Sequence, residues 1–235
     1  MYAVKIFTLY PETFPGPLAG GIYGKAMRNG LWSLKTVNIR DYADDKHKTV
    51  DDTVFGGGSG MLMKPDIVAN SLDKNISKGE KIFYLSPKGK KFNQSFANSL
   101  SKQNGINLIC GHFEGVDDRL LSTRNIEEIS IGDYVLSGGE TAAFVILDAV
   151  LRLIPGVLGN KESIKDETFE NSLLEYPQFT KPKIWEGKSV PDVLFSGDHA
   201  KIKSWRLSQS EDITRRQRPD PVSYTHLTLP TKRIV

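Results

Sequence analysis

The strongest constraint on the fold comes from the centre of the chain, where three short apolar runs each break off at a glycine- or proline-bearing turn. Lys81-Ile82-Phe83-Tyr84-Leu85 ends at Ser86-Pro87, Ile106 to Cys110 ends at Gly111, and Ile129 to Leu136 ends at Gly138-Gly139. Continuous runs of this length suit parallel strands buried on both faces. Helical rhythms stand between and after them. Phe92, Phe96 and Leu100 recur every four residues, and Thr141 to Ile154 is apolar nearly all round, hence a buried helix, until Pro155-Gly156 stops it. Val4 to Leu9, halted by Pro11, reads as a further strand. Alternating strands and helices predict an α/β domain with a parallel sheet. Ligands of such sheets bind beyond the carboxyl ends of the strands. Here those ends are Ser86-Pro87-Lys88-Gly89, Gly111-His112-Phe113-Glu114-Gly115 and Ser137-Gly138-Gly139-Glu140.

Composition narrows the function classes. A chain of 235 residues suits one large domain, or one with a small companion. A hydrophobic share of 39% supports a core, and a net charge of +3 permits nucleic-acid binding without requiring it. Cys110 is the single cysteine, so no internal disulfide forms, and its apolar neighbours read it as a small buried hydrophobe. One cysteine and four scattered histidines give no structural zinc pattern. No basic-then-apolar leader opens the chain. The stretch from Ala142 to Ile154 is too short for a bilayer and carries Asp148 and Arg152. The expectation is a cytoplasmic protein without membrane association. Residues 161–188 are polar and read as an interdomain linker, and Ala200 to Ser210, with Lys201, Lys203 and Arg206, reads as a helix of a small second domain.

Standard nucleotide motifs are missing. The Gly56 to Gly60 cluster lacks the Gly-Lys-Ser/Thr ending of a P-loop and the strand-to-helix spacing of a dinucleotide fingerprint. Three features stay open on the residues alone. The glycine clusters either let backbone approach a ligand or simply turn the chain. Glu114, between Gly111 and Gly115, is either a solvated loop acid or a carboxylate held at a strand end. Arg152, near the end of an apolar helix, either answers the helix dipole or contacts an anion.

A series of longer strings carries more. Gly56-Gly57-Gly58-Ser59-Gly60-Met61-Leu62-Met63, Tyr84-Leu85-Ser86-Pro87, Gly111-His112-Phe113-Glu114-Gly115 and Ser130-Ile131-Gly132-Asp133-Tyr134-Val135-Leu136-Ser137-Gly138-Gly139-Glu140 occur in that order. Pro155-Gly156-Val157-Leu158-Gly159 and Val190-Pro191-Asp192-Val193-Leu194-Phe195-Ser196-Gly197-Asp198-His199 follow. Together they resemble the bacterial tRNA (guanine(37)-N1)-methyltransferases from about Tyr2 to Pro219. The resemblance implies a SPOUT-class α/β fold whose parallel sheet is threaded as a deep trefoil knot, an arrangement outside the usual topology rules. It also implies a small helical C-terminal domain, a homodimer with sites at the subunit interface, tRNA rather than DNA as partner, S-adenosylmethionine as cofactor, and Mg2+ dependence. No metal-ligand cluster stands out, so no residue is assigned to a metal.

By the same resemblance, Tyr84, Leu85, Ser86 and Pro87 form a first cofactor loop and Gly111 touches the cofactor. Ser130, Ile131, Gly132, Asp133, Tyr134, Val135 and Leu136, with Gly138 and Gly139, form the main cofactor loop. Ile131, Tyr134 and Leu136 would supply an apolar slot for adenine. Glu114 and Arg152 match residues that contact the target guanine. The family's catalytic Asp precedes a Ser-Phe or Thr-Phe pair. Here Glu167 precedes Thr168-Phe169 and Asp166 stands one residue earlier, so Glu167 is the expected general base and Asp166 its rival. Ser59 stands where the family usually has Pro. The implied chemistry removes the proton from guanine N1, steadies charge on O6 with Arg152, and orients the base through Glu114. Lys181, Lys183, Lys201, Lys203, Arg206, Arg215 and Arg216 are candidate phosphate contacts.

The implied domains are 1–160 for cofactor binding and catalysis, 161–188 as linker, and 189–220 as the start of a tRNA-binding domain. Residues 221–235 show β-like alternation with no helical apolar face, and read as a foreign, disordered tail on a shortened domain. A tRNA-binding protein that keeps the cofactor pocket with little catalysis is the rival reading.

Overall fold

The computed structural model describes residues 1–159 and 173–218, and the chain divides into two units between Gly159 and Asn160. The first unit runs β1 (Tyr2–Thr8), α1 (Gly21–Arg28), β2 (Trp32–Asn38), β3 (Asp51–Thr53), β4 (Met61–Met63), α2 (Pro65–Asp73), β5 (Ile82–Lys91), α3 (Gln94–Ser101), β6 (Gly105–Ile109), α4 (Asp118–Thr123), β7 (Glu127–Ser130) and α5 (Glu140–Leu151). Among the described residues, five strands form one parallel sheet in the order β2-β1-β6-β5-β7. The apolar runs are unbroken because both faces of this sheet are covered. Val4, Ile6, Phe83, Leu85, Ile106 and Leu108 point to the core beneath α3 and α5. The alternate residues Phe7, Ile82, Tyr84 and Ile109 point to a second core under α2 and α4.

Three sequence expectations are corrected here. The run Ile129 to Leu136 is not one strand, because β7 stops at Ser130 and the rest is loop. Ser130 Oγ accepts from the Gly132 N–H and donates to the Gly132 carbonyl, replacing ladder partners with a local turn. Conversely, β5 continues past Ser86-Pro87. Leu85 and Lys90 both pair with Ile129, so residues 86–89 swell out between two anchored ends as a bulge. Finally, α5 is not buried all round. Thr141, Val145 and Asp148 form an exposed stripe, with Val145 45% exposed.

At the start of β5, Glu80 holds three elements together. Burial alone would raise its carboxyl pKa. Hydrogen bonds from Lys5 Nζ (3.0 Å), the Ser77 N–H (3.0 Å) and Asn107 Nδ2 (3.1 Å), with the charge of Lys5, outweigh that and hold it at about 2. With the folded value below the unfolded value of about 4.3, ionised Glu80 favours the fold above about pH 5, and this contribution is lost as the pH falls towards 2. Glu80→Gln is therefore expected to lower stability at pH 7, by no more than about 1 kcal/mol for a pair this open to solvent, and to match the wild type near pH 2. Urea unfolding at both pH values checks this. A difference that persists unchanged in acid would assign the effect to side-chain shape rather than charge.

The second unit holds a short hairpin, β8 (Ile184–Trp185) and β9 (Lys188–Ser189), and the helix α6 (His199–Gln217). Glu186 and Gly187 both have positive φ, as a two-residue hairpin turn demands. Asp198 caps α6 by accepting from the Ala200 and Lys201 N–H groups. The helix extends beyond the Ala200 to Ser210 stretch expected from sequence. The described part of the segment read as linker packs on it. The Leu174 N–H donates to Thr214 Oγ1 (2.8 Å), Tyr176 lies under the Arg206 guanidinium at 4.7 Å, and Phe179 meets Trp205. Asp166, Glu167 and residues 221–235 lie outside the described residues. No helix among the described residues is long and apolar enough to cross a membrane.

Candidate active site

A groove of about 460 Å3 opens at the carboxyl ends of β5, β6 and β7, a size that takes a small organic ligand. Three loops build it. The first is the bulge on β5. Leu85 and Ser86 are buried, Pro87 is exposed at the rim, and Ser86 Oγ accepts from the Lys88 N–H at 3.2 Å. Tyr84 fills the floor behind it, where burial pushes its phenol up, helped by the charge of Glu128.

The second loop, Gly111 to Gly115, follows β6. A Cβ at Gly111 would stand 2.6 Å from the Tyr84 hydroxyl, so the backbone comes close only because that position is glycine. The loop is pinned to β4, since the Glu114 N–H donates to the Met61 carbonyl and the Met63 N–H to the Gly115 carbonyl, each at 2.9 Å. Glu114 lines the groove and is solvent-exposed. Of the glycine cluster of residues 56–60, open to two readings from sequence, Gly60 approaches Glu114 directly, while Gly56, Gly57 and Gly58 turn the chain in open space among the described residues. A Cβ on Gly60 would lie 2.4 Å from Glu114 Oε1.

The third loop runs from Ser130 to Gly139. Ile131, Gly132, Tyr134, Val135 and Leu136 face the groove, as do Gly138 and Gly139. The Gly139 N–H donates to the Gly111 carbonyl at 3.0 Å, tying the third loop to the second. Val135 (88% exposed), Tyr134 and Phe113 leave apolar surface open around the mouth, a surface suited to covering by a base or a second chain.

Two expected residues stand apart from the groove. Asp133 turns outward, with its Oδ2 3.7 Å from Lys91 Nζ and both side chains solvated. Arg152 caps the far end of α5. Gly139 precedes that helix at the groove, so 12 residues of helix separate Arg152 from the cofactor loop by about 18 Å. Sequence reasoning also passed over a buried pair inside its own motif strings, His112 and Glu140, whose Nε2 and Oε2 are 2.8 Å apart.

Three glycine-bearing loops and an exposed carboxylate, on a backbone pinned to β4, meet at the strand ends of a parallel sheet and line a groove of small-molecule size. The sequence profile of tRNA (Guanine-1)-methyltransferase TrmD matches residues 2–223. The chain belongs to this methyltransferase family. A tRNA (guanine-N(1)-)-methyltransferase of Pelagibacter ubique (strain HTCC1062) is 72% identical over 220 residues, covering 94% of this chain and 96% of the relative. Proteins of the same name from Brucella canis and Bartonella henselae are 53% and 52% identical over 219 residues. Each alignment covers 93% of this chain, with 89% and 94% of the respective relatives.

The methyltransferase's candidate phosphate contacts are unequal. Lys183, Lys201 and Arg215 face Asp192, Asp198 and Asp212 in exposed ion pairs that cost little to break. Arg206 stacks on Tyr176 with its Nε buried, which reads as packing. Lys181, Lys203 and Arg216 are exposed. Among the described residues, no group of three or more His, Cys, Asp or Glu is placed to hold a metal.

Proposed function

We propose that this chain transfers the methyl group of S-adenosylmethionine to N1 of guanine 37 in tRNA, working as a homodimer in the cytoplasm. The observation that carries the reading is the convergence of Glu114 with the three glycine-bearing loops in one groove. The loops fit the cofactor: Ile131, Tyr134 and Leu136 offer an apolar slot, and the glycines leave backbone groups within reach of an adenine or a carboxylate. S-adenosylmethionine supplies an electrophilic methyl on a sulfonium. The protein's task is to make guanine N1 a nucleophile and aim it.

Guanine N1 carries a proton and is a poor nucleophile until that proton leaves. Glu167, with Asp166 as the rival, takes it as general base. Glu114 accepts from the guanine N–H groups and fixes the base in the groove. Arg152 balances the negative charge that spreads to O6. Because α5 sets Arg152 a helix length from the cofactor loop of its own chain, Arg152 reaches the groove of a second copy. The exposed stripe of Thr141, Val145 and Asp148 on the same helix favours such pairing.

The trefoil knot belongs to this reading as well. In its favour, the chain leaves the edge strand β7 and returns across β5 to bond Gly111 at the end of β6. The second unit grips the tRNA backbone through Lys181, Lys203 and Arg216. Mg2+ dependence belongs to the same reading, and a magnesium ion held by one or two carboxylates with water and substrate oxygens needs no dense protein cluster.

Labelled methyl transfer to paired tRNA transcripts, with guanine or adenine at position 37, tests the reading. Label is expected on the guanine transcript alone. Label on neither, with cofactor binding intact, would move the assignment to a tRNA-binding protein without catalysis.

A further inference from the structure

The loop that carries Glu114 and the loop that carries Gly138-Gly139 come from strands that are not neighbours in the sheet, since β5 lies between β6 and β7. Methyl transfer needs the guanine and the cofactor in register to a fraction of an ångström, and a misplacement of about 1 Å costs on the order of 100-fold. Something must hold these two loops together. The Gly139 to Gly111 hydrogen bond is one tie. The other is made of side chains.

We infer that His112 and Glu140, anchored by Thr8, form a brace that sets the spacing between the Glu114 loop and the cofactor loop, which makes them positioning residues for methyl transfer. The inference rests on the methyl-transfer reading above. His112 stands two residues before Glu114, and Glu140 immediately follows Gly139. The imidazole Nε2 lies 2.9 Å from Glu140 Oε1 and 2.8 Å from Oε2. The Thr8 hydroxyl, at the end of β1, donates to Oε1 of the same carboxylate. Both side chains are nearly buried, at 13% and 12% exposed, and neither lines the groove.

The surroundings fix the pair further. Tyr10 packs edge-on to the imidazole at 4.9 Å between ring centres. A Cβ on Gly138 would lie 2.3 Å from His112 Cε1 and 2.7 Å from Glu140 Oε2, so the cofactor loop lies directly on the brace. Glu140 opens α5, where the helix dipole favours its negative charge. That charge is also felt by the buried Cys110 thiol, which burial and Glu140 together push up. A buried pair of this kind adds little to stability on balance. What it does here is connect the end of β1 and the loop after β6 with the start of α5, beneath the two loops that must act together.

The test compares His112→Ala, His112→Gln, Glu140→Gln and the double variant His112→Ala, Glu140→Gln with the wild type. Cofactor affinity is read by calorimetry with S-adenosylmethionine, kcat by transfer to the guanine-37 transcript, and folding by thermal melting. His112→Ala is expected to lower kcat about 10- to 100-fold, with the cofactor Kd moving less than about threefold. Glu140→Gln should do the same, because one of its two contacts then faces an N–H. His112→Gln, whose amide can still donate to Glu140, should recover most of the loss. The His112→Ala, Glu140→Gln double variant should be no worse than the weaker of the two single variants, where independent losses would multiply, the mark of residues acting as a unit. Should His112→Ala fail to fold, the two Gln variants carry the comparison. A kcat loss matched by an equal loss of cofactor affinity, or one that follows the melting temperature, would overturn the brace. No transfer by the wild type would overturn the methyl-transfer reading and the brace with it. Transfer by wild type and variants alike would overturn the brace alone.

Discussion

Replacing Arg152 by alanine is expected to lower kcat for methyl transfer by about 10²- to 10³-fold, the usual loss when one donor to a developing oxyanion is removed. The cofactor affinity should stay near its wild-type value, because the role proposed for Arg152 is to balance charge on guanine O6 rather than to hold the cofactor. The stronger test is complementation. If Arg152 serves the groove of a second copy, then an Arg152→Ala chain mixed with a Glu114→Ala chain forms heterodimers with one complete site and one doubly damaged site. Mixing two inactive proteins should then restore about a quarter of the wild-type activity, as random reassortment of a two-fold dimer requires. Recovery at that level would support the shared site. No recovery, with heterodimers demonstrated, would mean that Arg152 and Glu114 act within one chain or that Arg152 has only a structural task.

Gly139→Ala is expected to abolish cofactor binding. An added methyl would stand 2.6 Å from Cys110 Cα, 3.0 Å from Cys110 Cβ and 3.0 Å from the Gly111 nitrogen. These atoms are backbone or fully buried, so nothing nearby can move aside cheaply. The loop must lift, and the Gly139 to Gly111 hydrogen bond and the first turn of α5 lift with it. A loss of affinity for S-adenosylmethionine of at least about 100-fold is expected, together with a destabilisation at the upper end of the usual range for overpacking, about 3 kcal/mol. Gly20→Ala, where a Cβ would meet nothing within 4 Å among the described residues, is the control and should bind the cofactor as the wild type does. A Gly139→Ala protein that binds the cofactor within threefold of wild type would show that the close seating of this loop is not needed.

The sequence revealed the sheet's centre because burial on both faces leaves an unbroken apolar run, a signal that survives without knowledge of tertiary contacts. It did not reveal α1, β2 or the β3–β4 hairpin, since these sit where polar and glycine residues break any period. The misreading of Ile129 to Leu136 has a definite physical cause. Ile129 and Ile131 pack on the core while Tyr134, Val135 and Leu136 line an open groove, and hydrophobicity alone cannot tell these apart. Glu114 and the loops expected to hold the cofactor were singled out through their strings of residues, and they line one groove. Arg152 is the opposite case. Its residue type was legible, but its distance from the groove depends on the length and direction of α5. His112 and Glu140 escaped because a pair 28 positions apart has no local signature.

The double pairing of Ile129 with Leu85 and Lys90 separates two properties that most strands keep joined. Residues 86–89 leave β5 and rejoin it opposite the same partner, so they form a side loop on an otherwise continuous strand. The register of β5 with β7 does not depend on how many residues that detour contains. One wall of the groove can therefore change shape while the pairs on either side of it hold the sheet, and Gly89, where a Cβ would lie 2.4 Å from the backbone of Glu128 and Ile129, marks where that freedom ends.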